Sequence, residues 1–236
     1  MNTDEPFAGE RWRVLDTGPG EPMWNMALDE ALLEQGTGKT SAVLRFYAWD
    51  GPAATFGYLQ RHKVVSELTA VRPLIRRCTG GGLVSHEADW TYSVTVPPGH
   101  PWYRLKAVAS YRCLHEWLQA AFGKIGVATE LASVADPVGP GQCFLGAEEA
   151  DLLLGGRKLA GAAQRRNRHG LLIQGSVQPP PRGVPVEEWR AAMISVLRAQ
   201  GAVVVPVGSQ LEFDVVECTR RLMQTRYLRV EYLQKR

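Results

Sequence analysis

A chain of 236 residues, 45% hydrophobic and 22% charged, can bury a full core, and one domain spanning residues 1–236 is expected. The formal net charge of +3, with acidic residues spread along the sequence, is too small to indicate nucleic acid and suits an acidic protein partner or an anionic small molecule. No apolar run approaches the roughly eighteen residues of a membrane span, and Met1 to Gly20 lacks the basic start and apolar stretch of a leader, so a cytoplasmic protein with no membrane association is expected.

Arg11 to Thr17 reads as a strand, Gly18-Pro19-Gly20 breaks it, and Pro22 sits where a helix can begin. Met23 to Gln35 is that helix, with Met26, Leu28, Ala31 and Leu32 at helical spacing and Asn25 and Asp29 four apart on a shared face. Ala42 to Trp49 and Ala53 to Leu59 read as two strands across the Asp50-Gly51-Pro52 turn, and the β pattern resumes at Pro73 to Cys78 and Leu83 to Val96. Tyr103 to Phe122 carries the clearest helical stripe, Leu105, Val108, Leu114, Trp117, Leu118 and Ala121. Leu152 to Leu154, Gly155-Gly156 and Arg157 to Gln164 form a predicted hairpin, followed by a strand at Leu171 to Val177. After Pro179-Pro180-Pro181, Val186 to Arg198 is an amphipathic helix, and the tail from Glu212 to Arg236 is predicted helical but weakly specified. Mixed β with flanking helices is an α+β pattern.

The densest chemical signal is Arg76-Arg77-Cys78-Thr79-Gly80-Gly81-Gly82-Leu83-Val84-Ser85-His86. Two cations run into a triple glycine, whose backbone accepts positive φ and lets a ligand approach closely, so the segment reads as a binding loop for an anionic or dipolar partner. Cys78, Cys113, Cys143 and Cys218 are far apart and form no CxxC pair; this argues against a zinc site and a disulfide framework, and no metal is expected.

Four separated motifs together resemble one family, the biotin/lipoate protein ligase and acyltransferase superfamily. They are Asn25 to Leu33, Arg45 to Trp49 continuing through Pro52, Gly57 and Gln60, the Arg76 to His86 loop, and Gly156-Arg157-Lys158-Leu159-Ala160-Gly161-Ala162-Ala163-Gln164. The resemblance implies the catalytic-domain fold of that family, a mixed and largely antiparallel sheet flanked by helices. It also implies two chemistries on this fold, ATP-dependent lipoate ligation and octanoyl transfer through a cysteine thioester. Cys143-Phe144 upstream of Lys158 is similar to the nucleophile position of the Gram-positive octanoyltransferases. Ala150-Asp151 stands where the ligases carry an Asn-Asp pair, and no accessory C-terminal domain is expected after the catalytic one.

On this resemblance Cys143 is the expected nucleophile, and Lys158 the cation that stabilises the oxyanion and lowers the thiol pKa if it lies close. Taken singly, a cysteine is as readily core filler and a lysine a solvated hairpin residue. Arg76, Arg77, Thr79, Gly80, Gly81, Gly82, Gly161 and Gln164 are expected at the substrate, and His86 as a substrate contact, a proton relay or a structural hydrogen-bonder. Cys78 is expected to be structural, Cys113 and Cys218 to be packing, and Arg165-Arg166-Asn167-Arg168-His169 to be a solvated turn or a dock for an acidic carrier. The leading expectation is an octanoyltransferase without cofactor, taking octanoyl from acyl-carrier protein and giving it to a lysine of a lipoyl domain or glycine-cleavage H protein. The alternatives are a lipoate–protein ligase using ATP and Mg, and a non-catalytic binder of lipoyl domains or acyl groups.

Overall fold

The computed structural model describes residues 7–133 and 146–235. Its elements are β1 (Arg11–Gly20), α1 (Pro22–Glu34), β2 (Ser41–Trp49), β3 (Ala53–Phe56), α2 (His62–Leu68), β4 (Leu74–Arg76), β5 (Val84–His86), β6 (Trp90–Val96), α3 (Pro101–Arg104), α4 (Ala107–Lys124), β7 (Glu130–Leu131) and β8 (Leu152–Leu154). There follow β9 (Arg157–Asn167), β10 (Gly170–Val177), α5 (Val186–Ala199), β11 (Val203–Gly208), α6 (Phe213–Leu222), a π-helical turn (Met223–Tyr227) and α7 (Val230–Leu233).

Eight strands form the main sheet in the order β11-β1-β2-β6-β10-β9-β8-β7. The β11-β1-β2 edge is parallel and the remaining pairings are antiparallel. A second sheet, β4-β3-β5, holds the glycine loop between its outer strands. The α+β architecture is as expected, with three differences. β2 and β3 flank the Asp50-Gly51 turn as expected but enter different sheets. The predicted strand Leu83 to Val96 is β5 in the small sheet and β6 in the large one, and the Tyr103 to Phe122 helix is split into α3 and α4 by extended backbone at Leu105 and Lys106.

Strand alternation sorts side chains to the two faces of the main sheet. Ala42, Leu44 and Phe46 of β2 join Tyr92, Val94 and Val96 of β6 in a core beneath α4 and α5 that also contains Phe7, Trp12, Trp102, Trp117 and Trp189. Phe7, Trp12 and Trp117 meet edge-on with ring centroids 5.3 to 5.6 Å apart, the arrangement favoured by ring quadrupoles. Val43 and Tyr47 face the other way, toward α1 and α6.

Candidate active site

On the α1 face lies a buried polar lattice. The Asp29 carboxylate accepts from Arg45 Nη1 at 2.7 Å, Ser93 Oγ at 2.6 Å, Gln174 Nε2 at 2.8 Å and Tyr47 Oη at 3.1 Å. Asn25 Oδ1 accepts from Arg45 Nη2 at 2.6 Å, so the motif residues Asn25 and Asp29 hold one guanidinium between them. Gln174 passes the lattice on, its Oε1 accepting from the Thr79 hydroxyl at 2.8 Å, which ties the glycine loop to β10. A buried charge is tolerated only when paired and fully hydrogen-bonded, and here both partners are.

The two arginines that sequence reasoning treats alike are separated by the fold. Arg77 curls under its own loop, donating to the carbonyls of Gly80 (2.6 Å) and Gly82 (2.8 Å), and to Thr55 Oγ1 (3.3 Å). Arg76 points away from the cavity: it lies over the Phe56 ring and donates to the carbonyls of Tyr58, Gln60, Tyr232, Leu233 and Lys235. The expected anion-positioning role therefore does not match the placement of Arg76, whose buried guanidinium is engaged by backbone carbonyls. Gly81 sits at φ +82°, and a Cβ on Gly57, just past the end of β3, would lie 1.9 Å from the Gly81 carbonyl oxygen, so the loop requires glycine there as well.

Gly155 and Gly156, at φ +57° and +72°, make the β8–β9 turn, in which both central residues must adopt positive φ. The hairpin folds Lys158 back onto Asp151, with Nζ 2.6 Å from Oδ2 and both side chains buried. Asp151 also accepts from the Glu148 amide at 2.6 Å and from the Tyr111 hydroxyl. Gly161 makes the room: a Cβ there would come within 2.5 Å of Lys158 Cε and 2.8 Å of Nζ. Behind Tyr111 lies His115, ring centroids 4.2 Å apart, its Nδ1 donating to the Tyr111 carbonyl at 3.0 Å. Burial above all holds His115 down at about 4, so the neighbour of Lys158 is a neutral imidazole rather than a second cation.

His86 stacks on Trp49 with centroids 4.1 Å apart, its Nδ1 2.8 Å from Asp89 Oδ2 and its Nε2 2.8 Å from Thr55 Oγ1. Asp89 also accepts from Ser176 Oγ (2.6 Å) and Thr91 Oγ1 (3.1 Å). Burial alone would raise the Asp89 carboxyl, but its pairing with His86 and the two hydroxyls hold it below the ordinary value.

Lys158 and Gly161 share a cavity with His86, Thr55 and Arg77, about 470 Å³ of empty space opening to solvent, with Met26, Val84 and Ala162 supplying apolar surface. Gln164 faces elsewhere, bonded to the Ala107 carbonyl at 2.8 Å and to Ser110 at 2.9 Å. In the basic run, Arg165 donates to the Cys78 carbonyl and Arg166 to the Tyr103 carbonyl and Ser110, so both guanidiniums are held by their own chain. Cys143 lies outside the described residues. Of the cysteines described, Cys78, Cys113 and Cys218 are each pushed up by burial, away from the reactive thiolate.

Sequence reasoning placed Asp151 only at the ligases' Asn-Asp position, without its pairing to Lys158, and missed Tyr111, Asp89, Thr55 and Gln174. Asp151 was findable as the acid seven residues before Lys158 across a two-glycine hairpin, and Asp89 as the acid three residues after His86. Tyr111, Thr55 and Gln174 carry no local signal.

A glycine loop in a small sheet, facing a lysine hairpin at the edge of a larger one, defines a lipoyl ligase type of catalytic domain. The sequence pattern of the "Lipoyl protein ligase A/B catalytic domain" matches residues 21–178, and the chain belongs to that family. Among similar proteins is octanoyltransferase LipM of Moorella thermoacetica, 40% identical over 177 residues, covering 71% of this chain and 65% of the relative. LipM of Staphylococcus aureus is 34% identical over 181 residues, with 71% of this chain and 66% of the relative covered. The chain thus spans just under two thirds of the length of these two; for LipM of Symbiobacterium thermophilum, 36% identical over 209 residues, the shares are 76% and 74%. The fold is shared with lipoate-protein ligase A bound with ATP (TM-score 0.74, 18% identity, 94% of this chain and 97% of that one). It is shared also with a bi-partite lipoate protein ligase from Thermoplasma acidophilum (TM-score 0.71, 19% identity, 96% of each chain). Among the described residues no helix is long and apolar enough to cross a membrane, and no group of His, Cys, Asp and Glu is arranged to hold a metal ion.

Proposed function

We propose that this chain is a cytoplasmic protein octanoyltransferase. Cys143 attacks the thioester of octanoyl-acyl-carrier protein, the new C–S bond replaces the old one, and the carrier's thiol leaves with the proton. The acceptor's lysine amine, on a lipoyl domain or a glycine-cleavage H protein, then forms the C–N bond, and Cys143 is released as the thiol. Thioester exchange is nearly isoenergetic, so neither nucleotide nor metal enters.

The observation that carries this reading is the Lys158 ammonium, fixed against Asp151 at the cavity above Gly161. A preorganised cation at a developing oxyanion accounts for about 10²–10³ in rate. Two features favour transfer over ligation. Asp151 spends both oxygens on Lys158, Tyr111 and the Glu148 amide, and Ala150 stands in place of the Asn implied by the ligase pattern. Ala150 keeps the left-handed backbone, φ +68°, that Asn adopts more readily than Ala.

The test is intact mass after incubation with octanoyl-acyl-carrier protein and no ATP. Wild type should carry an octanoyl adduct removed by hydroxylamine, Cys143→Ser should not, and Lys158→Ala should acylate about 10²–10³ more slowly. ATP-dependent attachment of free lipoate that survives Cys143→Ser would instead establish the ligase.

A further inference from the structure

On one side of the cavity, opposite in chemistry to Lys158, runs a directional chain of hydrogen bonds. Asp89 is held as a carboxylate and only accepts, so His86 Nδ1 carries the proton it donates at 2.8 Å. In the neutral ring Nε2 is then the acceptor, and the Thr55 hydroxyl 2.8 Å away is its donor. Thr55 Oγ1 in turn accepts from Arg77 Nη1 at 3.3 Å, which uses one of its two lone pairs. Thr55, His86 and Arg77 all line the cavity. The groups packed around the imidazole are Asp89 from the β5–β6 connection, Trp49 stacked on its face, and Arg77 acting through Thr55.

We propose that Thr55 and His86, aligned by Asp89, form the base that accepts the proton of the acceptor's lysine amine in the second half-reaction. The inference rests on the transferase reading above. Attack by the amine forms the C–N bond, makes the carbonyl an oxyanion and leaves a positively charged nitrogen, which returns as a leaving group unless a proton is removed. The Thr55 oxygen takes that proton on its second lone pair and passes its own to His86 Nε2. Collapse of the oxyanion breaks the C–S bond, and the proton ends on the departing thiolate, so His86 is neutral again. The first half-reaction makes a weaker demand, since a thiol near 8.5 ionises far more readily than an ammonium near 10.4 loses its proton. Asp89 is the positioning residue, fixing the tautomer that turns a bare nitrogen toward Thr55.

Half-reactions separate the two claims. Asp89→Ala removes the acceptor that fixes the Nδ1–H tautomer, so the ring proton is free to sit on Nε2 and block the acceptor there. Acyl-enzyme should still form from octanoyl-acyl-carrier protein. Its single-turnover transfer to an apo lipoyl domain should fall about 10²–10⁴-fold, with the acceptor KM little changed. Hydroxylamine, which needs no such base, should discharge wild-type and variant acyl-enzymes alike. Thr55→Val should show the same loss while keeping the Nδ1–H tautomer, read from long-range ¹⁵N–¹H spectra of the histidine rings. Transfer within threefold of wild type in both acylated variants, or an Nε2–H tautomer for His86 in the wild-type protein, overturns the proposal. Failure of wild type to form acyl-enzyme overturns the transferase reading, and this inference with it.

Discussion

Along β6, Tyr92, Val94 and Val96 enter a core of rings and aliphatic chains beneath α4 and α5, while Ser93, between them, bonds the buried carboxylate of Asp29 beneath α1. Both faces exclude water, yet one is held by area and shape and the other by directed hydrogen bonds. Apolar contacts fill space and tolerate small shifts, whereas a bonded lattice fixes positions, and the glycine loop hangs from the lattice through Gln174 and Thr79. The difference teaches where each face matters: one for stability, the other for placing the site.

The strongest test of that division removes one anchor from each face. Asp29→Ala leaves the Arg45 charge buried and unpaired and should cost about 3–5 kcal/mol by urea unfolding. Transfer should stay impaired even when a second change, Arg45→Met, restores part of the stability. Trp117→Ala should cost a similar 3–5 kcal/mol, yet acyl transfer should survive wherever the protein remains folded, as steady-state rates at low temperature would show.

A pH titration probes the α4 side, where His115 lies behind Tyr111. Its folded value of about 4 lies below the ordinary 6.5, so the unfolded chain binds the proton first. Its contribution is complete above pH 6.5 and is lost as pH falls toward about 4, on the order of 3 kcal/mol. Subtracting the stability profile of His115→Gln from that of wild type should isolate this slope. The smallest effect expected is that of Ser93→Ala, which removes one hydrogen bond to a charge and should cost about 1.5–3 kcal/mol in a chemical denaturation series.

Repeating patterns were legible before the structure, and meetings between distant segments were not. The stripe ending in Trp117, Leu118 and Ala121 predicts most of α4, and the hairpin at Gly155-Gly156 predicts β8 and β9, because each rests on neighbours in sequence. The break between β5 and β6 falls at Glu87 to Asp89, with no Gly or Pro to announce it, so two strands in different sheets read as one. α2 and the parallel edge strand β11 escaped for the same reason: a seven-residue helix and a six-residue strand owe their form to what they pack against. In the candidate site, Lys158, Gly161, Arg77 and His86 were named in advance and share one cavity. Their partners Asp151, Tyr111, Thr55 and Asp89 come from separate elements, and no spacing rule connects Tyr111 to Asp151.

Arg76 gives its guanidinium to carbonyls of Tyr232, Leu233 and Lys235, so its site is completed by residues synthesised more than a hundred and fifty positions later. While the nascent chain is still short of residue 232, this cation beneath the glycine loop must stay hydrated, and the small sheet can take only a provisional form. The loop motif is therefore encoded early but acquires its final support late, and truncation before residue 232 would damage a sheet more than a hundred and fifty positions upstream.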